Sequence, residues 1–215
     1  MRASFGGFFD VDPPEPGPEP EVPPMPEWLQ PPQHELPGRA ARDEVPHRDD
    51  ATVLILGELA AYSSGLRLTM RWVHRRTVES PREWERRMME RHAWFPARFP
   101  EPDGMHVGVR LADGTRLLPI DHQQVAHVDG DLAPPTLQVL GGGGGGGHDR
   151  YDVNVELWLW TGAPMRDGFD LVLSWPEHGV AELGHHVPSA DLAALPAARP
   201  LWDDGPPGRG AVSVP

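Results

Sequence analysis

The sequence predicts an all-β fold, an antiparallel β-sandwich of immunoglobulin-like or jelly-roll-like type. Two long segments carry the prediction. In the first, Leu66, Leu68, Met70 and Trp72 alternate with Arg67, Thr69, Arg71 and Val73. In the second, Tyr151, Val153, Val155, Leu157 and Leu159 alternate with Asp152, Asn154, Glu156, Trp158 and Trp160. A sustained period of two marks a strand with one buried face. No strand–helix–strand unit repeats, which argues against a parallel α/β sheet. Single-faced strands need a second sheet to cover them, hence a sandwich, with a partly closed barrel as the alternative.

The remaining elements follow in chain order. Thr52 to Leu56 is a short β-branched apolar run ending at Gly57, and the turn residues Ala61 to Gly65 join it to the first long strand as a hairpin. Ser80-Pro81-Arg82-Glu83 reads as a helix start, with Ser80 as cap, Pro81 in the first turn and Glu83 closing a capping box. The helix should run to about Arg91 and lie on the surface, held by Trp84. Met105 to Leu111 alternates again, and Asp113-Gly114 turns it back into Arg116 to Ile120. Thr136 to Leu140 precedes a run of glycines, Gly141 to Gly147, which reads as a flexible connection between strands. Phe169 to Trp175 and Val180 to Val187 follow the second long strand. Ser189 to Ala198 reads as a short C-terminal helix capped by Ser189.

Three regions result: an acidic, Pro-rich tail over residues 1–50, mostly disordered; a sandwich domain over 51–202; and a disordered tail over 203–215. The first tail, from Asp10 to Pro46, holds 12 of the 27 prolines. Proline fixes φ and lacks an N–H, so neither helix nor ladder should run through it. Within it, Pro26-Glu27-Trp28-Leu29 carries a bulky apolar pair that should dock on the domain or on a partner.

Charge and composition narrow the function. The net charge is −13, and Asp10 to Asp50 carries eleven acids against three arginines. Such a chain repels phosphates and anionic membranes, so neither nucleic acid nor a membrane is an expected partner. All 19 basic residues are arginine, a choice that suits a GC-rich genome. The chain has no cysteine, which excludes disulfides, thiolate metal sites and a Cys nucleophile. No signal-peptide core or membrane-length apolar run occurs, and a cytoplasmic protein is expected.

Motifs for chemistry are sparse. The glycine run leads into a strand and lacks the Lys and Ser/Thr of a phosphate-binding loop. No Gly-x-Ser-x-Gly surrounds any serine. Asp152 and Glu156 sit roughly 13 Å apart along a strand, too far for a glycosidase pair. His122, His127 and Asp129 could form a metal site, although no recognised ligand spacing is present and surface histidines are the simpler reading. No cofactor is expected. The aromatic pattern offers more. Trp158 and Trp160 lie opposite the aliphatic face of their strand. Exposed, they would make a strip for a carbohydrate, peptide or protein, with Trp28 as a further contact. Covered, they form a second core layer, and Trp28, Trp84 and Trp202 are available as cover.

The chain resembles a group of uncharacterised actinobacterial proteins. The resemblance rests on Glu35-Leu36-Pro37-Gly38, Ala61-Tyr62-Ser63-Ser64-Gly65, the glycine run, the Trp-bearing strand after it, Trp175-Pro176-Glu177-His178-Gly179-Val180, and Leu201-Trp202. It covers roughly Gln33 to Trp202 and implies this chain organisation, but no activity. Three readings remain: a non-enzymatic module that binds a protein partner, a small-ligand or carbohydrate-binding sandwich, and a His/Asp metal-dependent enzyme.

Overall fold

A computed structural model of the chain describes residues 25–92, 105–120 and 132–203. Its strands are β1 (Glu35–Leu36), β2 (Gly38–Arg48), β3 (Thr52–Tyr62), β4 (Gly65–Arg75), β5 (His106–Leu111), β6 (Arg116–Leu117), β7 (Thr136–Gly146), β8 (Arg150–Trp160), β9 (Phe169–Trp175), β10 (Val180–Val187) and β11 (Arg199–Pro200). Helix α1 (Pro81–His92) lies between β4 and β5, and α2 (Ser189–Ala193) follows β10. All pairings between these strands are antiparallel. A large sheet has the order β2-β3-β4-β8-β7, a smaller one β10-β9-β5-β6, and β1 pairs with β11. The expected all-β, antiparallel class holds. No helix among the described residues is long and apolar enough to cross a membrane.

The two sheets share one core. The inner residues Leu66, Leu68, Met70 and Trp72 of β4, and Val153, Val155, Leu157 and Leu159 of β8, join Val107 and Val109 of β5 and Phe169, Leu171, Leu173 and Trp175 of β9. Trp72 meets Trp175 edge to face, with ring centroids 5.0 Å apart, so the two sheets touch directly through aromatic rings. The sheets also meet at both margins. On one side, His185 Nε2 of β10 lies 2.6 Å from Glu44 Oε2 on β2, and Arg42 of β2 pairs with Asp191 of α2. On the other, Pro119 bridges Leu137, and Ile120 N–H donates to the Leu137 carbonyl at 3.0 Å.

The β3–β4 turn is tight, with Tyr62 opposite Gly65 across Ser63-Ser64. Strand β3 does not stop at Gly57; it continues to Tyr62 through a bulge between Leu56 and Glu58. Helix α1 starts as the capping box predicts. Ser80 N–H donates to Glu83 Oε2 at 2.9 Å, and Glu83 N–H donates to Ser80 Oγ at 3.3 Å. Trp84 is its buried anchor, and its Nε1–H donates to the Gly147 carbonyl at 2.8 Å.

Four expectations fail in instructive ways. Residues 38–48 of the supposed tail form β2, an edge strand, and its ladder to β3 absorbs two irregularities around Asp43, whose φ is 49°. An edge strand tolerates Pro46 because one side of its backbone needs no ladder partner. The glycine run is not a loop: Gly141 to Gly146 complete β7 and pair with β8 from Glu156 to Tyr151. The C-terminal helix is one short turn, and Ser189 lies within it while Pro188 occupies the cap position without a side-chain bond. Trp202, available in the sequence as cover for the tryptophan face, is 60% exposed. Residues 1–24 and 204–215 of the two predicted tails lie outside the described residues.

Candidate functional site

The outer face of the large sheet builds the most distinctive surface of the molecule. Cross-strand register arranges it in rows. One row runs Tyr62, Gly65, Trp160, Thr136; the next runs Ala60, Arg67, Trp158, Gln138; a third runs Glu58, Thr69, Glu156, Gly141. The third row carries two carboxylates, and Arg67 of the second row pairs with both. Arg67 Nη2 lies 3.2 Å from Glu58 Oε1, and Arg67 Nη1 lies 3.7 Å from Glu156 Oε2.

The first two rows are different. Ala60, Tyr62 and Trp158 form a second hydrophobic cluster, with Leu140 and Trp160 packed against it. Trp158 has no exposed surface. Its indole lies across Gly65, where a Cβ would fall onto the Leu159 carbonyl oxygen and within 2.7 Å of the ring, so both the approach of β8 and the seating of Trp158 require glycine there. Tyr62 meets Trp158 edge to face at 5.6 Å. Burial pushes the Tyr62 phenol above its ordinary pKa, which keeps it neutral.

The polar edge of Trp158 identifies its cover. Its Nε1–H donates at 2.8 Å to the main-chain carbonyl of Glu27, 131 residues away in sequence. Glu27 belongs to a turn closed by Leu29 N–H donating to the Pro26 carbonyl at 3.1 Å. Trp28, in the same turn, is 4% exposed. The three tryptophans singled out in the sequence are thus all described. Trp158 is covered by the chain's own N-terminal segment, Trp160 is half-buried beside it, and Trp28 is buried within that segment. They form no open aromatic strip while the turn is in place.

The cover fits the face incompletely. Gln138 is 1% exposed, and neither its Oε1 nor its Nε2 has a hydrogen-bond partner. In the adjoining row, Trp160 Nε1 and Thr136 Oγ1 are buried without partners, as is Trp28 Nε1 in the docked turn. A buried polar group left unsatisfied costs about 1–3 kcal/mol, so such groups are normally few. Several of them, Gln138, Thr136 and Trp160, stand on two neighbouring rows beside Trp158, although Arg42 Nε and Trp175 Nε1 elsewhere share the condition. Sequence reasoning found the tryptophans but passed over Gln138 and Thr136. Their position on the Trp face, opposite Trp158 and Trp160 in register, was the only available signal, and it required knowing that β7 and β8 pair.

A second feature lies on the outer face of the smaller sheet. Arg110, Asp170 and His186 stand in one row across β5, β9 and β10. Arg110 Nε donates to Asp170 Oδ2 at 2.9 Å, and His186 Nδ1 lies 2.8 Å from Asp170 Oδ1. The Arg110 bond, then that of His186, holds the Asp170 carboxyl below its ordinary pKa. The row borders an open cleft of about 610 Å³. Arg110 and His186 are 55% and 64% exposed at their side chains, so this is a solvated ion-pair row rather than a preorganised catalytic pocket.

The metal expectation meets no counterpart among the described residues, where no group of three or more His, Asp or Glu side chains could hold an ion. His122, His127 and Asp129 themselves lie outside the described residues. Compared with known protein families, with characterised proteins and with solved structures, the chain matches none.

Proposed function

We propose that this protein is a non-enzymatic β-sandwich module that engages a partner protein through the outer face of its large sheet, around Trp158. One observation carries the reading: a fully buried tryptophan spends its only hydrogen bond on the main chain of a proline-preceded peptide turn. An aromatic surface that offers an indole N–H to a backbone carbonyl is a common solution to peptide recognition, because the carbonyl is present in every peptide while the rings supply contact area. The unpaired amide of Gln138 beside it supports the same reading. The composition supports it too, since the acidic chain disfavours nucleic acid and anionic lipid as partners.

A photo-crosslinking residue tests this in the native host. Placed at Leu140, on the rim of the Trp158 cluster, it should give a discrete protein adduct. Placed at Val172, on the smaller sheet, it should not. No adduct from Leu140, or equal adducts from both positions, rules the surface out.

A further inference from the structure

The geometry points to a ligand class for this face: a short peptide turn that presents both a carbonyl and an amide of its main chain, with the protein's own Pro26–Leu29 turn acting as a resident occupant that such a peptide displaces. The inference rests on the reading of the outer face as a binding surface and specifies its chemistry.

Three features lead to it. First, the hydrogen bond from Trp158 to the resident turn goes to a main-chain oxygen, that of Glu27. It does not depend on the Glu27 side chain and is available to any peptide of similar shape. Second, the unpaired atoms next to Trp158 have a definite pattern. Gln138 offers an acceptor and two donors, enough to meet both the N–H and the C=O of one peptide group with one amide hydrogen to spare. The resident turn places its Glu27 carbonyl on Trp158 yet leaves Gln138 unanswered, so it fills the site without completing it. A peptide able to bond both residues gains what the resident turn lacks. Third, the resident segment is quick to return once released. Its covalent tether gives it an effective concentration on the order of millimolar, and Pro24, Pro26, Pro31 and Pro32 restrict its free conformations, so both raise what a competing ligand must supply. A tethered, incomplete occupant of this kind protects an apolar face while setting a threshold that only a better ligand exceeds.

The test uses a fluorescein-labelled peptide spanning residues 25–30, read by anisotropy against the full chain. Trp28→Ala weakens the resident turn, and this variant should bind the peptide about tenfold more tightly than the wild type. Gln138→Leu removes the unpaired amide. The free peptide shares the resident turn's sequence but not its tether to β1, so it can settle onto both Trp158 and Gln138; the substitution should therefore raise the melting temperature and weaken peptide binding at once, a split that a purely structural role for Gln138 does not produce. A measurement on the wild type alone guards against misfolding of either variant: saturating peptide should speed hydrogen exchange at the Leu29 amide, which the turn protects. Equal peptide affinity for wild type and Trp28→Ala, unchanged Leu29 exchange at saturation, or an affinity indifferent to Gln138→Leu each overturns the inference. If the peptide fails to bind while Leu140 still crosslinks a host protein, the binding surface stands and its assigned chemistry falls. If the peptide binds and displaces the turn while no host adduct forms, the chemistry stands and the cellular role falls.

Discussion

Alanine substitutions along the glycine run should alternate in sign. In β7 the even-numbered glycines point inward. A Cβ on Gly144 would sit 2.6 Å from Tyr151 Oη and 2.8 Å from the Asp152 carbonyl oxygen. On Gly146 it would fall onto the Arg150 carbonyl and within 2.8 Å of Tyr151 Cα. Those atoms are backbone or the buried end of a 2%-exposed tyrosine, and they cannot swing aside. Overpacking of this kind costs about 1–3 kcal/mol. Gly143 and Gly145 have open space where the Cβ would go, and neither has a positive φ. Alanine there removes unfolded-state freedom and should stabilise by about 0.4–1 kcal/mol. For a protein of this size, 1 kcal/mol moves the melting temperature by about 2–4 °C. Gly144→Ala and Gly146→Ala should therefore melt about 2–12 °C lower, and Gly143→Ala and Gly145→Ala about 1–4 °C higher. Denaturant unfolding monitored by tryptophan fluorescence reads the same differences as midpoints at constant slope. A flexible linker would give four indistinguishable variants, and that outcome would refute both the strand assignment and the packing of Tyr151 beneath it.

Other substitutions separate buried anchors from surface decoration. Trp84→Ala should destabilise by about 3–5 kcal/mol, since it empties a buried site and strands the Gly147 carbonyl, whereas Trp202→Ala, at an exposed position, should change stability by under about 0.5 kcal/mol in chemical denaturation. Ser80→Ala removes the cap of α1 and should cost about 1 kcal/mol, recovered in large part by Ser80→Asp. Asp170 has a folded pKa below its unfolded value, so its ion pairs stabilise the fold above the ordinary carboxylate range and lose that contribution as pH falls through the folded value, below about pH 4. Asp170→Asn should accordingly show a shallower loss of melting temperature on acidification than the wild type, with a penalty at pH 7 of no more than about 1 kcal/mol for so exposed a network; an identical acid profile for the two proteins would contradict this.

The sequence was legible where burial is one-sided. Strands β4 and β8 lie at the centre of the large sheet with one face in the core, so their alternation survives intact: Leu66, Leu68, Met70 and Trp72 are buried, as are Tyr151, Val153, Val155, Leu157 and Leu159. It was illegible where the backbone carries the structure. Strand β2 lies at a margin, and all of its residues but Gly38 are exposed or only partly buried. What fixes it is a ladder to β3 and a set of charge pairs, Arg39 with Glu58, Arg42 with Glu44 and Asp191, and Glu44 with His185. Charged side chains that find partners only after folding leave no apolar period behind, and a proline among them suggests a tail. The glycine run is the limiting case. With no side chains it has no period at all, and its strand character comes from pairing with β8 and from an inner face that must stay empty for Tyr151.

The tryptophans show why a residue pattern underdetermines a surface. Alternation placed Trp158 and Trp160 on the outer face, and register agrees, yet outer does not mean exposed when a distant segment lies over the face. The charged and the covered parts adjoin. Glu58 and Glu156 pair with Arg67, and Arg67 stands in the same row as a buried tryptophan and an unpaired amide. If Trp158 served only to thicken the core, a leucine or phenylalanine would give the same burial without an indole N–H to satisfy, and an apolar residue at position 138 would avoid two stranded polar atoms. The residues actually present impose a hydrogen-bonding requirement on whatever covers them. Pro26–Leu29 meets that requirement at Trp158 and not at Gln138, and the proposed peptide ligand rests on this asymmetry.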